Sequence, residues 1–150
     1  MSYERHMAPI QRKWTIGRNT FHFEAPNLLW AKFRGDSSVE DAILLVKLYR
    51  ELGTLQPFFI LADMEEAGGL DAEARHYMNE HVRQEWLLGI IYFKTRLLHR
   101  AIAKGLLLAA EMTRSEGDPP STKIYFVPTR DRAWELLLQL RARQDEHHVG

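Results

Sequence analysis

Apolar residues recur along this chain with three spacings: every second position, every third or fourth, and in unbroken runs. Each spacing implies a different element. WTIGRNTFHFEAPNLLWAKFRG, beginning at Trp14, sets aromatic and β-branched residues around Asn19 and Pro26-Asn27. It reads as two short strands separated by turn residues. In DSSVEDAILLVKLYRELG, Val39, Ala42, Ile43, Val46 and Tyr49 return to one face of a helix. Ser37 precedes Glu40 at capping-box spacing, where the side chains satisfy orphaned N–H groups and contribute about 0.5–2 kcal/mol. Gly53 falls where a helix C-terminal glycine belongs.

The run PFFILAD, ending at Asp63, is continuously apolar, too short for a helix, and bounded by Pro57 and an acidic segment. That predicts a strand buried on both faces. A helix from Asp71 to about Arg83 would turn Ala74, Tyr77, Met78 and Val82 inward, and WLLGIIYF would be a second buried strand. A third helix is expected from Thr95 to Arg114, followed by the breaker GDPP, the strand KIYFV, and a last helix capped by Thr129. That helix would carry Ala133, Trp134, Leu137, Leu138 and Arg141 on one side.

A hairpin followed by strand–helix units predicts an α/β fold: a mixed, mostly parallel sheet of about five strands with right-handed crossovers. One domain is expected over residues 12–143, with 1–11 and 144–150 as flexible ends. Loops after parallel strands share one edge of the sheet, where open α/β folds bind ligands. The predicted rim holds Asp36 and Ser37, the loop Asp63, Met64, Glu65, Glu66, Ala67, Gly68 and Gly69, then Lys94, Thr95 and Arg96, and finally Thr129 and Arg130.

Composition narrows the partners. Of 150 residues 45% are hydrophobic, enough for one core, and 20 Lys plus Arg balance 20 Asp plus Glu. The zero net charge argues against nucleic acid, whose binders carry a basic excess. With no cysteine, disulfides, thiolate metal sites and cysteine nucleophiles are excluded. The opening MSYERHMAPIQRKW lacks an apolar core of signal-peptide length, and no apolar run could span a bilayer, so a cytoplasmic domain is expected. Locally the charge is uneven. Residues 61–85 carry a net −5 and residues 94–114 a net +4, with Arg96, Arg100 and Lys104 at successive i, i+4 steps. That basic stripe would meet either the acidic helix beside it, a partner, or a second copy of the chain.

Candidate chemistry is thin. No serine lies in G-x-S-x-G, and neither a Walker loop nor G-x-G-x-x-G follows a strand. His76 and His81 are five apart rather than four, and Asp63, Glu65 and Glu66 would need further oxygens to hold a hard cation. No metal and no cofactor is expected. Asp63 and Thr95 fit two places of a phosphoacceptor receiver, but Lys123 precedes the last strand instead of following it.

In order, WTIGRN…LLWAKFRGD, SSVEDAILLVKLYRELG, PFFILADMEEAGG, LLGIIYF and KIYFVPTRDRAWELL resemble a STAS domain, the fold of sulfate-transporter tails and anti-sigma factor antagonists. The pattern is similar to the divergent bacterial branch of the sporulation anti-anti-sigma factor. The resemblance implies a non-enzymatic domain that binds a protein, such as an anti-sigma factor or kinase-like partner, or a second copy of itself. Its antagonists are switched by phosphorylating Ser or Thr in the loop after the central strand. Here that segment is Asp63 to Gly69, and no Ser or Thr occurs from Leu55 to Lys94. Asp63 is therefore expected to cap its loop. The same resemblance implies an alternative, a small apolar ligand or lipid held as in CRAL-TRIO domains. An enzyme or phosphoacceptor using Asp63 is the third reading.

Overall fold

The computed structural model describes residues 12–96 and 123–149. Six strands, β1 (Lys13–Ile16), β2 (Asn19–Glu24), β3 (Leu28–Ser37), β4 (Phe58–Leu70), β5 (Leu87–Phe93) and β6 (Ile124–Val127), form one sheet in sequential order. The β1–β2 and β2–β3 pairs are antiparallel, and the next three junctions are parallel. The expected mixed α/β sheet is therefore present, with one strand more than its pattern suggested.

The extra strand arises at Gly17. A positive φ of 62° there closes a two-residue turn, so Ile16 pairs with Asn19 and the stretch from Lys13 to Glu24 forms a hairpin. Asn19, expected in a turn, instead begins β2 and is 3% exposed. Its Oδ1 accepts from Arg34 N (2.9 Å) and its Nδ2 donates to Ser37 Oγ (3.4 Å), which pins the far end of β3.

The helices are α1 (Val39–Leu55), α2 (Ala72–His81) and α3 (Arg130–Val149), with a short 3₁₀ turn at Gln84–Trp86. The capping box of α1 is Ser38 with Asp41, one residue later than the Ser37–Glu40 pair predicted. Ser37 is unavailable as a cap because β3 runs through it, pairing it with Leu70. Gly53 lies inside α1 rather than past its end. A Cβ there would overlap the Cβ and Cγ of Trp86, so the glycine admits the indole against the helix. The inward face of α1 is Ala42, Leu45, Val46, Leu48, Tyr49 and Leu52, while Ile43 from the predicted stripe is 43% exposed.

Both α1 and α2 cover one face of the sheet and α3 covers the other. Along β4, Phe58, Ile60 and Ala62 pack toward α1, and Phe59 and Leu61 toward α3. This explains the unbroken apolar run: every side chain of a sandwiched strand is buried, each contributing roughly 1.5–3 kcal/mol for the large ones. Thr129 caps α3 as expected, its Oγ1 accepting from Arg132 N (3.2 Å). Ala133 and Leu137 are fully buried, whereas Leu138 is exposed. The helix continues through residue 149. Arg141 ties it to the β2–β3 turn by donating Nε and Nη2 to Asn27 Oδ1 (3.2 and 2.8 Å). The helix predicted from Thr95 to Arg114 falls almost wholly outside the described residues.

Candidate functional site

The segment from Asp63 to Gly69 is not a loop. It is the second half of β4, thirteen residues long, and it stays paired with β3 as far as Ser37–Leu70. Two register shifts, between Lys32 and Arg34 and between Gly35 and Ser37, each place one extra residue on β4. Such bulges re-aim side chains while keeping the strands joined.

Charge on β3 explains why an acidic run can lie flat against it. Lys32 Nζ lies 3.6 Å from Asp63 Oδ2 and 3.3 Å from Glu66 Oε2, and Arg34 Nε lies 3.6 Å from Glu66 Oε1. The hydrogen bond to Glu66, followed by the charge of Asp63, raises the Lys32 pKa above its ordinary value. These pairs are accessible to solvent, where screening leaves each a weak contribution. They set register more than stability. Asp63 also accepts from Glu65 N through Oδ1 (3.0 Å), a local turn in which the carboxylate serves its own strand.

On its other side the pairing of β4 with β5 ends at Asp63, opposite Phe93, the last residue of β5, and no described strand lies beyond it. Lys94 then turns the chain at φ 60°. Its Nζ lies 3.4 Å from Glu65 Oε1, and Arg96 Nη2 donates to Ala67 O at 2.6 Å. From the β3 side, Asp36 Oδ1 accepts from Gly69 N (2.7 Å), and Ser37 O accepts from Asp71 N (3.3 Å). Asp36, Ser37, Lys94 and Arg96 thus gather on this half-strand.

Thr129 and Arg130 do not join them. They open α3 on the opposite face, where Arg130 lies 4.4 Å from the ring of Trp30. Arg100 and Lys104 of the basic stripe lie outside the described residues, and the guanidinium of Arg96 is engaged on β4. His76 and His81 serve different partners: His76 Nε2 is 3.2 Å from Glu80 Oε2, and His81 Nδ1 is 2.9 Å from Tyr77 O. Among the described residues, no three His, Asp or Glu side chains are placed to hold one metal ion.

Two features escaped the sequence reading. One is an aromatic stack on the α3 face, His22 on Trp30 and Trp30 on Trp134, each with centroids 6.1 Å apart. The other is an apolar cavity under α1, of which Met64, Ala67, Gly68 and Gly69 form one wall. Only the alternation of β4, which sends Met64 and Ala67 to the α1 side, hinted at the second.

No protein-family model and no curated protein matches the sequence. The structure, however, is similar to the anti-sigma factor antagonist SpoIIAA in its unphosphorylated form, with a TM-score of 0.52. The match covers 81% of this chain and 96% of that one, at 8% identity. The chain has a STAS-like fold. At that identity the likeness speaks for the architecture, and it agrees with the order of elements from which the resemblance to STAS domains was read. No described helix is long and apolar enough to cross a membrane.

Proposed function

We propose that the chain is a non-enzymatic regulatory module of the cytoplasm that binds another protein through the acidic half of β4, as an antagonist binds its anti-sigma factor. The observation that carries this reading is the presentation of Glu65 and Glu66. Both are exposed, on a strand anchored by Asp36, Arg96 and β3, and beyond Asp63 no described strand covers the outer edge of β4. A fixed acidic ridge suits a protein surface better than a reaction centre. Asp63 supports the same view. Its carboxylate already serves Glu65 N and Lys32, so it holds structure rather than attacking or accepting a group.

In phosphorylation-switched antagonists the corresponding segment gains about −1.5 to −2 charge. Here Glu65 and Glu66 carry permanent negative charge, offset in part by Lys94, Lys32 and Arg34, and the module stays in one charge state. The favoured partner is an anti-sigma factor or kinase-like protein with a basic patch. The test is association of a purified anti-sigma kinase with the wild type and with the Glu65→Gln, Glu66→Gln double variant, measured across ionic strength. Steered association slows and loses salt dependence when the ridge is neutralised. Identical rates and salt slopes for the two proteins would remove the ridge from the interface.

A further inference from the structure

The cavity under α1 has a volume of about 130 Å³. A dry cavity of about 150 Å³ lined by aliphatic and aromatic side chains holds benzene, so this one matches a single ring. Its walls include Phe21, Phe33, Tyr49, Tyr92 and Phe126, with Met64 and Met78 as adaptable filler. Burial pushes the Tyr92 phenol up to about 12 and that of Tyr49 higher still, so neither brings a charge to the wall near neutral pH. Among the described residues no Lys, Arg or His lines the space. Asp41, the one carboxylate among the described lining residues, is engaged in the α1 cap. The described walls therefore offer an anionic ligand no counter-charge.

One polar atom is left over. Thr95 Oγ1 is buried, belongs to the cavity lining, and has no hydrogen-bond partner among the described residues. Buried hydroxyls are almost always paired, so Thr95 Oγ1 is a hydrogen-bonding group available to a molecule in the cavity.

We infer that this cavity binds a compact neutral molecule, one ring in size, whose single hydrogen-bonding group meets Thr95. Because Met64 and the residues from Ala67 to Leu70 form one wall, an occupant braces the same half-strand that carries Glu65 and Glu66. A bound molecule would then do by packing what phosphate does by charge. This bracing gives the proposed partner edge a means of control and rests on that reading. Binding itself stands without it.

Phenol, toluene and benzoate are the probes, titrated into the full chain and followed by the methyl resonances of Met64 and Met78. Phenol and toluene should shift both methyls saturably, and benzoate should not. Thr95→Val should weaken phenol about 2- to 10-fold, the worth of one hydrogen bond, and leave toluene unchanged. At ten times its Kd, phenol should slow exchange of the Gly69 amide by about tenfold if opening of this wall releases it. Absence of saturable shifts, equal weakening of phenol and toluene, or tight benzoate binding would each overturn the site. Saturable binding with unchanged Gly69 exchange would overturn the bracing alone and leave the partner reading to its own test.

Discussion

Gly68 and Gly69 are adjacent, identical in sequence terms, and predicted here to respond oppositely to alanine. A Cβ on Gly68 would overlap Asp36 Oδ1 and lie 2.7 Å from Gly35 C and 2.9 Å from Asp36 N. Two of those atoms are backbone of β3 and cannot rotate away. Relief requires separating the strands where Asp36 holds Gly69 N, and forcing a close-packed region apart costs about 1–3 kcal/mol. Alanine also restricts the unfolded chain, which returns about 0.4–1 kcal/mol. The balance runs from near zero to a loss of about 2.6 kcal/mol, rising if the charged hydrogen bond from Gly69 N to Asp36 is broken.

At Gly69 a Cβ would meet only Asp36 Oδ1, at 3.6 Å, an ordinary contact, and the backbone does not adopt a positive φ. The unfolded-state term then acts alone, and Gly69→Ala should be neutral or stabilising by up to about 1 kcal/mol. Urea unfolding of both variants, followed by tryptophan fluorescence and far-UV circular dichroism, measures the difference. If the two substitutions shift the midpoint equally, the half-strand is not packed on β3 as described, and the account of a fixed acidic ridge fails with it.

Asp63→Asn should keep the fold and cost less than about 1 kcal/mol by urea unfolding, because the amide oxygen can still accept from Glu65 N and the exposed pair with Lys32 is weak. A gain of several kcal/mol would instead mark Asp63 as a strained functional acid. Incubation with an anti-sigma kinase and ATP should leave residues 55–94 free of phosphoserine and phosphothreonine by mass spectrometry, and stoichiometric phosphate on Asp63 would revive a phosphoacceptor. The buried tyrosines set an alkaline limit. With both folded pKa values raised by burial above the unfolded value near 10, the two contributions are intact below pH 10; that of Tyr92 is lost as pH rises toward about 12, and that of Tyr49 at higher pH still. Absorbance at 295 nm should show both ionising only with unfolding. Normal titration near pH 10 in the folded chain would contradict their burial.

What was legible in the sequence follows from how local each determinant is. The run from Phe58 to Ala62 reads as a sandwiched strand because both faces demand apolar residues, a requirement visible without knowing the neighbours. Thr129 reads as a cap because its hydrogen bond reaches only three residues. The start of α1 was misread by one residue for the opposite reason. Ser37 and Ser38 are equally good caps, and what disqualifies Ser37 is its place beside Leu70, thirty-three positions away. Gly53 is a similar case: glycine suits the end of a helix, but the demand for it comes from Trp86.

The acidic half of β4 shows the same limit at the place that matters for function. Asp63, Glu65, Glu66 and two glycines have low strand propensity, so reading them as a loop was reasonable chemistry. They remain in the sheet because Lys32 and Arg34 supply opposite charge, Asp36 holds the Gly69 amide, and Gly68 lets the backbones approach. Of these conditions only Gly68 lies within the segment itself. The consequence is functional. A loop would have offered its acids to any partner in many arrangements, at the entropic cost of ordering them on binding. A paired strand presents Glu65 and Glu66 in one arrangement, with Asp63 turned to its own backbone, and that cost has already been met in folding.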